Sequence, residues 1–227
     1  MAWGFQSTDL PADVLLTNSA VTVTDDGEAI HFEPRSGKRA NGVIFLPGGM
    51  VDPLAYTPLC KALASAGHPV YLVRLPMRIA FTEAQVDGLF SRVTALITAH
   101  RETRWFLSGH SRGAMLSTRY ARESQTAIDG LVLIATTHPR DFDLSATNLR
   151  VTKIFGAADG IAGPDAIRQN AKLLPPSTTW VEIPGANHVQ FAYYRYQLGA
   201  GAATISRDKQ QARLLEAMRA AISESSK

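Results

Sequence analysis

Short runs of apolar, often β-branched residues alternate along the chain with longer segments in which apolar residues recur every three or four positions. The short runs have the length of buried strands, and the longer segments have the period of amphipathic helices. Strands that alternate with helices favour an α/β fold, with a mostly parallel central sheet and helices on both of its faces. Eight strands are predicted, at residues 21–24, 30–33, 42–47, 70–75, 105–108, 131–135, 151–155 and 179–183.

The helical segments begin and end at recognisable residues. Thr82 is followed three residues later by Gln85, which is the spacing of a capping box, and an apolar stripe follows. Proline at the first turn and glycine after the last are further boundary signals. They predict one helix from Thr57 to Gly67 and one from Gly163 to just before Pro175. Leu215, Met218 and Ile222, which would share one face, predict a last helix over about 206–222.

The organisation of the chain is that of a single unit. Its 227 residues, 45% of them hydrophobic, suffice for one packed core. Since no internal repeat, Gly/Ser-rich linker or change in composition marks a boundary, we expect one domain over residues 1–227. Residues 1–40 form a lead-in that contains the two N-terminal strands, which are expected to pair antiparallel.

Charge and cysteine content exclude several functional classes. The 23 Lys and Arg residues outnumber the 20 Asp and Glu residues only slightly and are scattered singly, so no nucleic-acid surface is expected. The longest apolar run, 131–135, is too short to span a membrane. A single cysteine, Cys60, without a neighbouring Cys/His pattern argues against a metal site. Residues 1–16 lack the pattern of a signal peptide, which favours a cytoplasmic location, although removal of an export signal would leave the same sequence.

One short motif carries chemistry. Gly109-His110-Ser111-Arg112-Gly113 directly follows the strand at 105–108 and precedes a helix-compatible segment. A serine between two glycines at a strand-to-helix turn is typical of a nucleophile elbow, in which the hydroxyl is exposed above the sheet. The alternative is a glycine-rich turn in which Ser111 merely caps the following helix.

A serine nucleophile needs a base and an acid that orients it, and the chain supplies both in a suitable order. Asp159 follows the strand at 151–155, and His188 follows the strand at 179–183. Ligand sites of open α/β sheets gather at these strand ends. Ser111, Asp159 and His188 are therefore the predicted nucleophile, acid and base.

Other residues compete for two of these roles. Asp159 is also typical of an Asx turn, and Asp141 or Asp143 would then supply the acid. His138 is the alternative base, because it too follows a strand. His110 lies beside the nucleophile in sequence, but its side chain is expected to point elsewhere.

Acyl transfer also requires donors for the oxyanion. The backbone amide of Arg112, immediately after the nucleophile, is one predicted donor. The second is expected from the Pro47-Gly48-Gly49-Met50 loop after the third strand, from Gly49 or, less favoured, from Met50. The alternative is an ordinary Gly-Gly turn.

The substrate-binding residues are less well specified. Residues 189–197, after the predicted base, are rich in aromatic side chains and include an arginine. They either border the substrate pocket, with the arginine meeting an anionic substrate, or pack a long loop onto the body of the protein. The candidate substrate-binding residues are Met50, Tyr56, Met77, Tyr193 and Arg195.

These motifs resemble the α/β-hydrolase superfamily from about residue 42 to 222, and most closely its small, cap-less branch of dienelactone-hydrolase-like carboxylesterases. In dienelactone hydrolases proper the nucleophile is a cysteine, whereas this chain has Ser111. Larger relatives carry a helical lid after the sixth strand, but residues 136–150 leave no room for one.

The resemblance implies a serine hydrolase that cleaves small carboxylic esters, needs no cofactor and acts as a monomer or homodimer. The alternatives are a thioesterase or amidase with the same triad, or a non-catalytic binding module on this fold.

Overall fold

The computed structural model of the protein describes residues 4–35, 41–124 and 127–223. Of the predicted lead-in, residues 1–3 and 36–40 lie outside the described residues. Eight strands form one sheet, and their ends differ from the predicted ends by no more than two residues. They are β1 Val21–Asp25, β2 Ala29–Pro34, β3 Gly42–Leu46, β4 Val70–Val73, β5 Trp105–His110, β6 Gly130–Ile134, β7 Arg150–Gly156 and β8 Thr179–Ile183.

The sheet is parallel except at one edge. Its strand order is β1-β2-β4-β3-β5-β6-β7-β8. β1 pairs antiparallel with β2, and β2 pairs antiparallel with β4, whereas the strands from β4 to β8 are all parallel. The expected α/β architecture, including the two antiparallel N-terminal strands, is confirmed.

Five α-helices flank this sheet in the described residues. Thr82 and Gln85 form the expected capping box at the start of the second helix. The fourth helix is shorter than predicted, because the backbone leaves the helical conformation at Asn170, whose side-chain amide donates to the Thr137 carbonyl oxygen at 2.9 Å. The helices are α1 Thr57–Ser65, α2 Glu83–Ala99, α3 Arg112–Glu123, α4 Pro164–Gln169 and α5 Arg207–Ser223.

Apolar residues pack on both faces of the sheet. Along β3, Val43 and Phe45 belong to the core on one face, and Ile44 and Leu46 belong to the core on the other. Helices α1 and α5 cover the first face, and α2 and α3 cover the second. Because both faces are covered, ligands reach the sheet at the carboxyl ends of its parallel strands.

The connection between β6 and β7 contains no helix over the described residues 135–149. A helical lid is therefore not inserted at this position, as expected from its length. None of the helices in the described ranges is long and apolar enough to cross a membrane.

Candidate active site

The backbone at Ser111 adopts the strained conformation that a nucleophile elbow requires. Its φ and ψ are 51° and −111°, and its amide donates to the Ile134 carbonyl oxygen at 2.9 Å. Both flanking glycines are sterically required. A Cβ on Gly109 would lie 2.5 Å from the Gly113 carbonyl carbon, and a Cβ on Gly113 would lie 2.0 Å from the Leu46 oxygen. The close approach of strand and helix thus depends on these glycines.

Ser111 does not act as a helix cap. Its side chain makes no capping hydrogen bond to α3. Instead Ser111 lines a cavity of about 280 Å³. The reading of this motif as a simple capped turn does not fit this geometry.

The predicted acid and base are in contact. Asp159 Oδ2 lies 2.8 Å from His188 Nδ1, and both side chains are buried. The other carboxylate oxygen of Asp159 accepts hydrogen bonds from the amides of Ile161 and Ala162, both at 2.8 Å. With the carboxylate fixed in this way, the protonated nitrogen of neutral His188 is set at Nδ1, and Nε2 is left as the basic atom.

The competing acids lie elsewhere. Asp143 is exposed and accepts a hydrogen bond from the Ser145 amide at 2.7 Å. Asp141 is also exposed, and its described contacts include no hydrogen bond to His188. The contact of Asp159 with His188 therefore favours Asp159 over both.

The second ring nitrogen of His188 is unoccupied. Nε2 is buried and has no hydrogen-bond partner within the described chain, and thus none at Ser111. The hydrogen bond between a catalytic serine and its histidine base is often long in unliganded enzymes and shortens when substrate binds.

The ring of His110, the residue before Ser111, lies 4.6 Å from the ring of His188. The expectation that His110 points elsewhere was wrong, because its ring is packed against the base.

Tyr56 connects His110 to the glycine loop. Its hydroxyl lies 2.8 Å from His110 Nδ1 and accepts a hydrogen bond from the Gly48 amide at 2.9 Å. Burial raises the pKa of Tyr56 well above its usual value, and burial, followed by the charge of His188, lowers the pKa of His110. Tyr56 is fully buried beneath the loop, so its predicted contact with substrate is replaced by a structural role.

Two of the predicted oxyanion donors have backbone amides that are free of other hydrogen bonds in the described chain. The Gly49 amide makes no hydrogen bond to the described residues, and the Arg112 amide is the first of α3, which leaves it without an intrahelical acceptor. A Cβ on Gly49 would lie 3.1 Å from Arg112 Cβ, so the loop and the helix start are adjacent. Met50 is wrong as a donor, because its amide donates to the Arg78 carbonyl oxygen at 2.7 Å.

The remaining predicted substrate residues do not line the cavity at Ser111. The exposed side chain of Met77 is outside its lining, as is Met50. Tyr193 packs against the Arg207 guanidinium, 5.5 Å from the ring centre. Arg195 is 75% exposed and lies 3.6 Å from Asp9. Within the aromatic segment, Phe191 and Tyr194 are buried in the body of the protein, as in the alternative interpretation, whereas Tyr196 is exposed.

The wall of the cavity is built by the segment after β6, for which the sequence suggested an alternative acid or base but no substrate-binding residue. Residues 135–140, directly after β6, supply it, together with residues from the start of α3 and from the turn after Asp159. Its position after a central parallel strand was the one signal in the sequence. The lining residues are Ser111, Arg112, Met115, Ala135, Thr136, Thr137, His138, Arg140, Ile161 and Ala162.

A buried lysine, Lys153, donates hydrogen bonds to the backbone of this wall. Lys153 is 2% exposed, and its ammonium donates to the carbonyl oxygens of Thr136 and His138 at 2.6 and 2.7 Å. Burial lowers the pKa of Lys153 to about 7.

His138, the alternative base, also lies in this wall. Burial, followed by the charge of Arg140, lowers the pKa of His138 to about 4. His138 has no carboxylate hydrogen-bonded to its ring in the described structure, which favours His188 as the base.

Within the described ranges, no three His, Cys, Asp or Glu side chains are grouped in a way that would hold a metal ion.

A model of the alpha/beta hydrolase family matches residues 42–212. The chain therefore belongs to the alpha/beta hydrolase family. A search of curated protein sequences found no match.

Solved structures of the same fold include several hydrolases. An esterase from Pyrobaculum calidifontis has 14% sequence identity and a TM-score of 0.65, with 92% of this chain and 87% of that chain covered. An alpha-beta serine hydrolase homologue from Coxiella burnetii has 14% identity and a TM-score of 0.61, covering 88% and 96% of the two chains. A ferulic acid esterase from Streptomyces cinnamoneus has 17% identity and a TM-score of 0.62, covering 82% and 67%. At these identities the likeness is one of fold.

Proposed function

We propose that the protein is a serine hydrolase that cleaves small carboxylic esters through an acyl-enzyme. One observation carries the proposal: a buried Asp159–His188 pair leaves His188 Nε2 without a partner in the described chain, and the His188 ring packs 4.6 Å from the ring of His110, the residue before a serine held in a strained elbow. A binding module has no need of this combination. The esterases among the structural neighbours are consistent with it.

The geometry supports a two-step reaction. Ser111 Oγ attacks the ester carbonyl carbon while His188 Nε2 takes its proton, and the amides of Gly49 and Arg112 donate to the oxyanion. When the tetrahedral intermediate collapses, the bond to the alcohol breaks and His188 returns the proton to the leaving oxygen. Water, activated by the same nitrogen, then cleaves the acyl-enzyme and releases the acid. Asp159 stabilises the imidazolium that forms in each step.

The dimensions of the site favour small substrates. A cavity of about 280 Å³ adjoins Ser111, and no helix follows β6 in the described part of the chain to enclose a long acyl group. Part of any long tail would remain in water and gain little from binding.

The direct test measures kcat/KM of the purified protein on butyryl compounds with three leaving groups: an ethyl ester, an ethyl thioester and an N-ethylamide. We expect hydrolysis of the oxygen ester and its loss in Ser111→Ala, with folding verified by circular dichroism. A faster rate for the thioester or amide would contradict the ester assignment. Absence of turnover on all three would favour a binding module.

A further inference from the structure

Positive charge is concentrated around the cavity at Ser111. Arg112 and Arg140 line it, and Lys153 lies behind its wall. None of the three forms an ion pair with a carboxylate in the described parts of the chain. Other arginines of the protein do form such pairs, for example Arg74 with Asp25 at 2.7 Å. The distinguishing feature of the cavity is that two arginines without such a pair line the same enclosed space.

The nearby carboxylates do not balance this charge. Asp159 is hydrogen-bonded to His188, and Glu83 is paired with Arg119 at 2.6 Å. Asp141 lies close enough to raise the pKa of His138, but it makes no ion pair to the cavity arginines within the described residues. Uncompensated cations in a partly enclosed site produce a positive potential, which attracts anions.

Both arginines have hydrogen-bond donors to spare. Arg112 donates from Nε and Nη2 to the carbonyl oxygens of Ile79 and Ala80, at 3.1 and 2.7 Å. Arg140 donates from Nε and Nη2 to the Thr137 hydroxyl oxygen. In both guanidinium groups, Nη1 makes no hydrogen bond to the described chain. This nitrogen carries two N–H groups, which are free to donate. Each of these positively charged donors can form a charge-assisted hydrogen bond with the oxygen of a carboxylate.

From these contacts we propose that the ester substrate carries a free carboxylate, which Arg140 and Arg112 bind while Ser111 attacks the ester carbonyl. The proposal rests on the proposed function and names the substrate class of the same site. The anion site is thus the wall after β6, and Arg195, the arginine that the sequence suggested for this role, lies outside it.

The test uses pairs of esters that are similar in shape and differ in charge. Monoethyl succinate is compared with ethyl 4-oxopentanoate, in which a methyl ketone replaces the acyl-side carboxylate. Acetoxyacetate is compared with acetoxyacetone, which makes the same change on the alcohol side. We expect at least one anionic ester to have a kcat/KM about tenfold higher than its neutral partner. This ratio should fall as ionic strength rises.

Arg140→Gln provides the decisive variant, because Arg140 is exposed and its replacement does not disturb the core. The anionic-to-neutral ratio should fall about fivefold or more. Arg195→Gln is the matched control, since Arg195 is an exposed arginine outside the cavity lining, and it should leave the ratio unchanged. Arg112 is not substituted, because its side chain holds the carbonyls of Ile79 and Ala80.

The outcomes separate the inference from the function on which it rests. If neutral esters are hydrolysed in a Ser111-dependent way, but both anionic esters react no faster or keep their advantage in Arg140→Gln, the inference is overturned and the proposed function stands. If the protein hydrolyses none of the four esters, the proposed function itself falls.

Discussion

Two buried ionisable side chains near the candidate active site have very different hydrogen-bond partners. His188 contacts a carboxylate, because Asp159 lies 2.8 Å from its Nδ1. Lys153, which contacts the cavity wall, donates to two carbonyl oxygens and meets no carboxylate within the described chain. Burying a charge is costly unless a partner compensates it. The His188 side chain therefore has a compensating carboxylate, whereas Lys153 has none, and burial lowers its pKa to about 7.

This difference assigns separate tasks to the two regions. In the proposed function, the Asp159–His188 pair serves proton transfer, since one imidazole nitrogen is fixed and the other is open. In the proposed function, the wall of Thr136, His138 and Arg140 serves binding, because its backbone is hydrogen-bonded to Lys153 and it carries the unpaired guanidinium of Arg140. Changes on the first side should act mainly on kcat, and changes on the second on substrate choice and on pH-dependent stability.

The largest effect is expected from His188→Ala. Loss of the base should reduce kcat by about a million-fold, as for other residues of a serine triad. The double variant with Ser111→Ala should be no slower than Ser111→Ala alone, because the two side chains act as one unit. Steady-state kinetics of the two single variants and the double variant measure this. Multiplicative losses would indicate a different base.

Asp159→Asn should reduce kcat by about 10⁴, because the amide favours the wrong imidazole tautomer while it keeps the shape of the carboxyl group. Asp141→Asn and Asp143→Asn are controls, and each should remain within a few-fold of wild type. A severe loss in either control, with an active Asp159→Asn, would move the acid to the segment after β6.

A smaller effect is expected from Lys153→Met, measured as the change of unfolding free energy with pH. Burial holds the pKa of Lys153 at about 7 in the folded protein, whereas an unfolded lysine titrates near 10.5. Between these values the unfolded chain binds one more proton than the folded chain, so this lysine makes stability rise with pH, by up to about 1.4 kcal/mol per pH unit. Below pH 7 both states hold the proton and the contribution to the slope disappears.

Urea unfolding at pH 7, 8 and 9 tests this expectation. Lys153→Met should lose the positive contribution to the slope, whatever its stability at a single pH. Lys209→Met, which replaces an exposed lysine of α5, should retain it. Equal slopes in wild type and Lys153→Met would show that Lys153 titrates normally and that the two regions do not differ as described.

The smallest effect concerns acyl chain length. Each methylene that enters the cavity contributes up to about 0.8 kcal/mol, and further methylenes beyond the cavity contribute little. For ethyl esters from acetate to decanoate, kcat/KM should rise to roughly hexanoate and then level off. Tributyrin should show no jump in rate at its solubility limit, since no helical lid follows β6 in the described chain. A preference for decanoate would indicate an additional apolar surface.

The strands and the elbow could be predicted from sequence because their signals are local. Period and composition within a few residues define β3 to β8, and the glycines around Ser111 allow a contact that any Cβ would block. The order of Ser111, Asp159 and His188 was sufficient to propose the triad, and the structure places the latter two in hydrogen-bond contact.

The cavity wall and the role of Tyr56 could not be predicted, because they depend on contacts between distant segments. Tyr56 reaches His110 across 54 positions of the chain, and Lys153 reaches Thr136 across 17. The aromatic segment after His188 was conspicuous in sequence, yet Tyr193 packs against Arg207 and Arg195 lies near Asp9. Local composition does not show which side chains face a cavity.

The most direct measurement is covalent labelling with a fluorophosphonate, which reacts with a serine activated by a neighbouring base. Intact mass and peptide mapping should show one adduct per chain, on Ser111, and none in Ser111→Ala. The labelling rate should fall by at least about a thousand-fold in His188→Ala, because the hydroxyl loses its base. An adduct on another residue, or an unchanged rate in His188→Ala, would contradict the assignment of Ser111 and His188 as nucleophile and base.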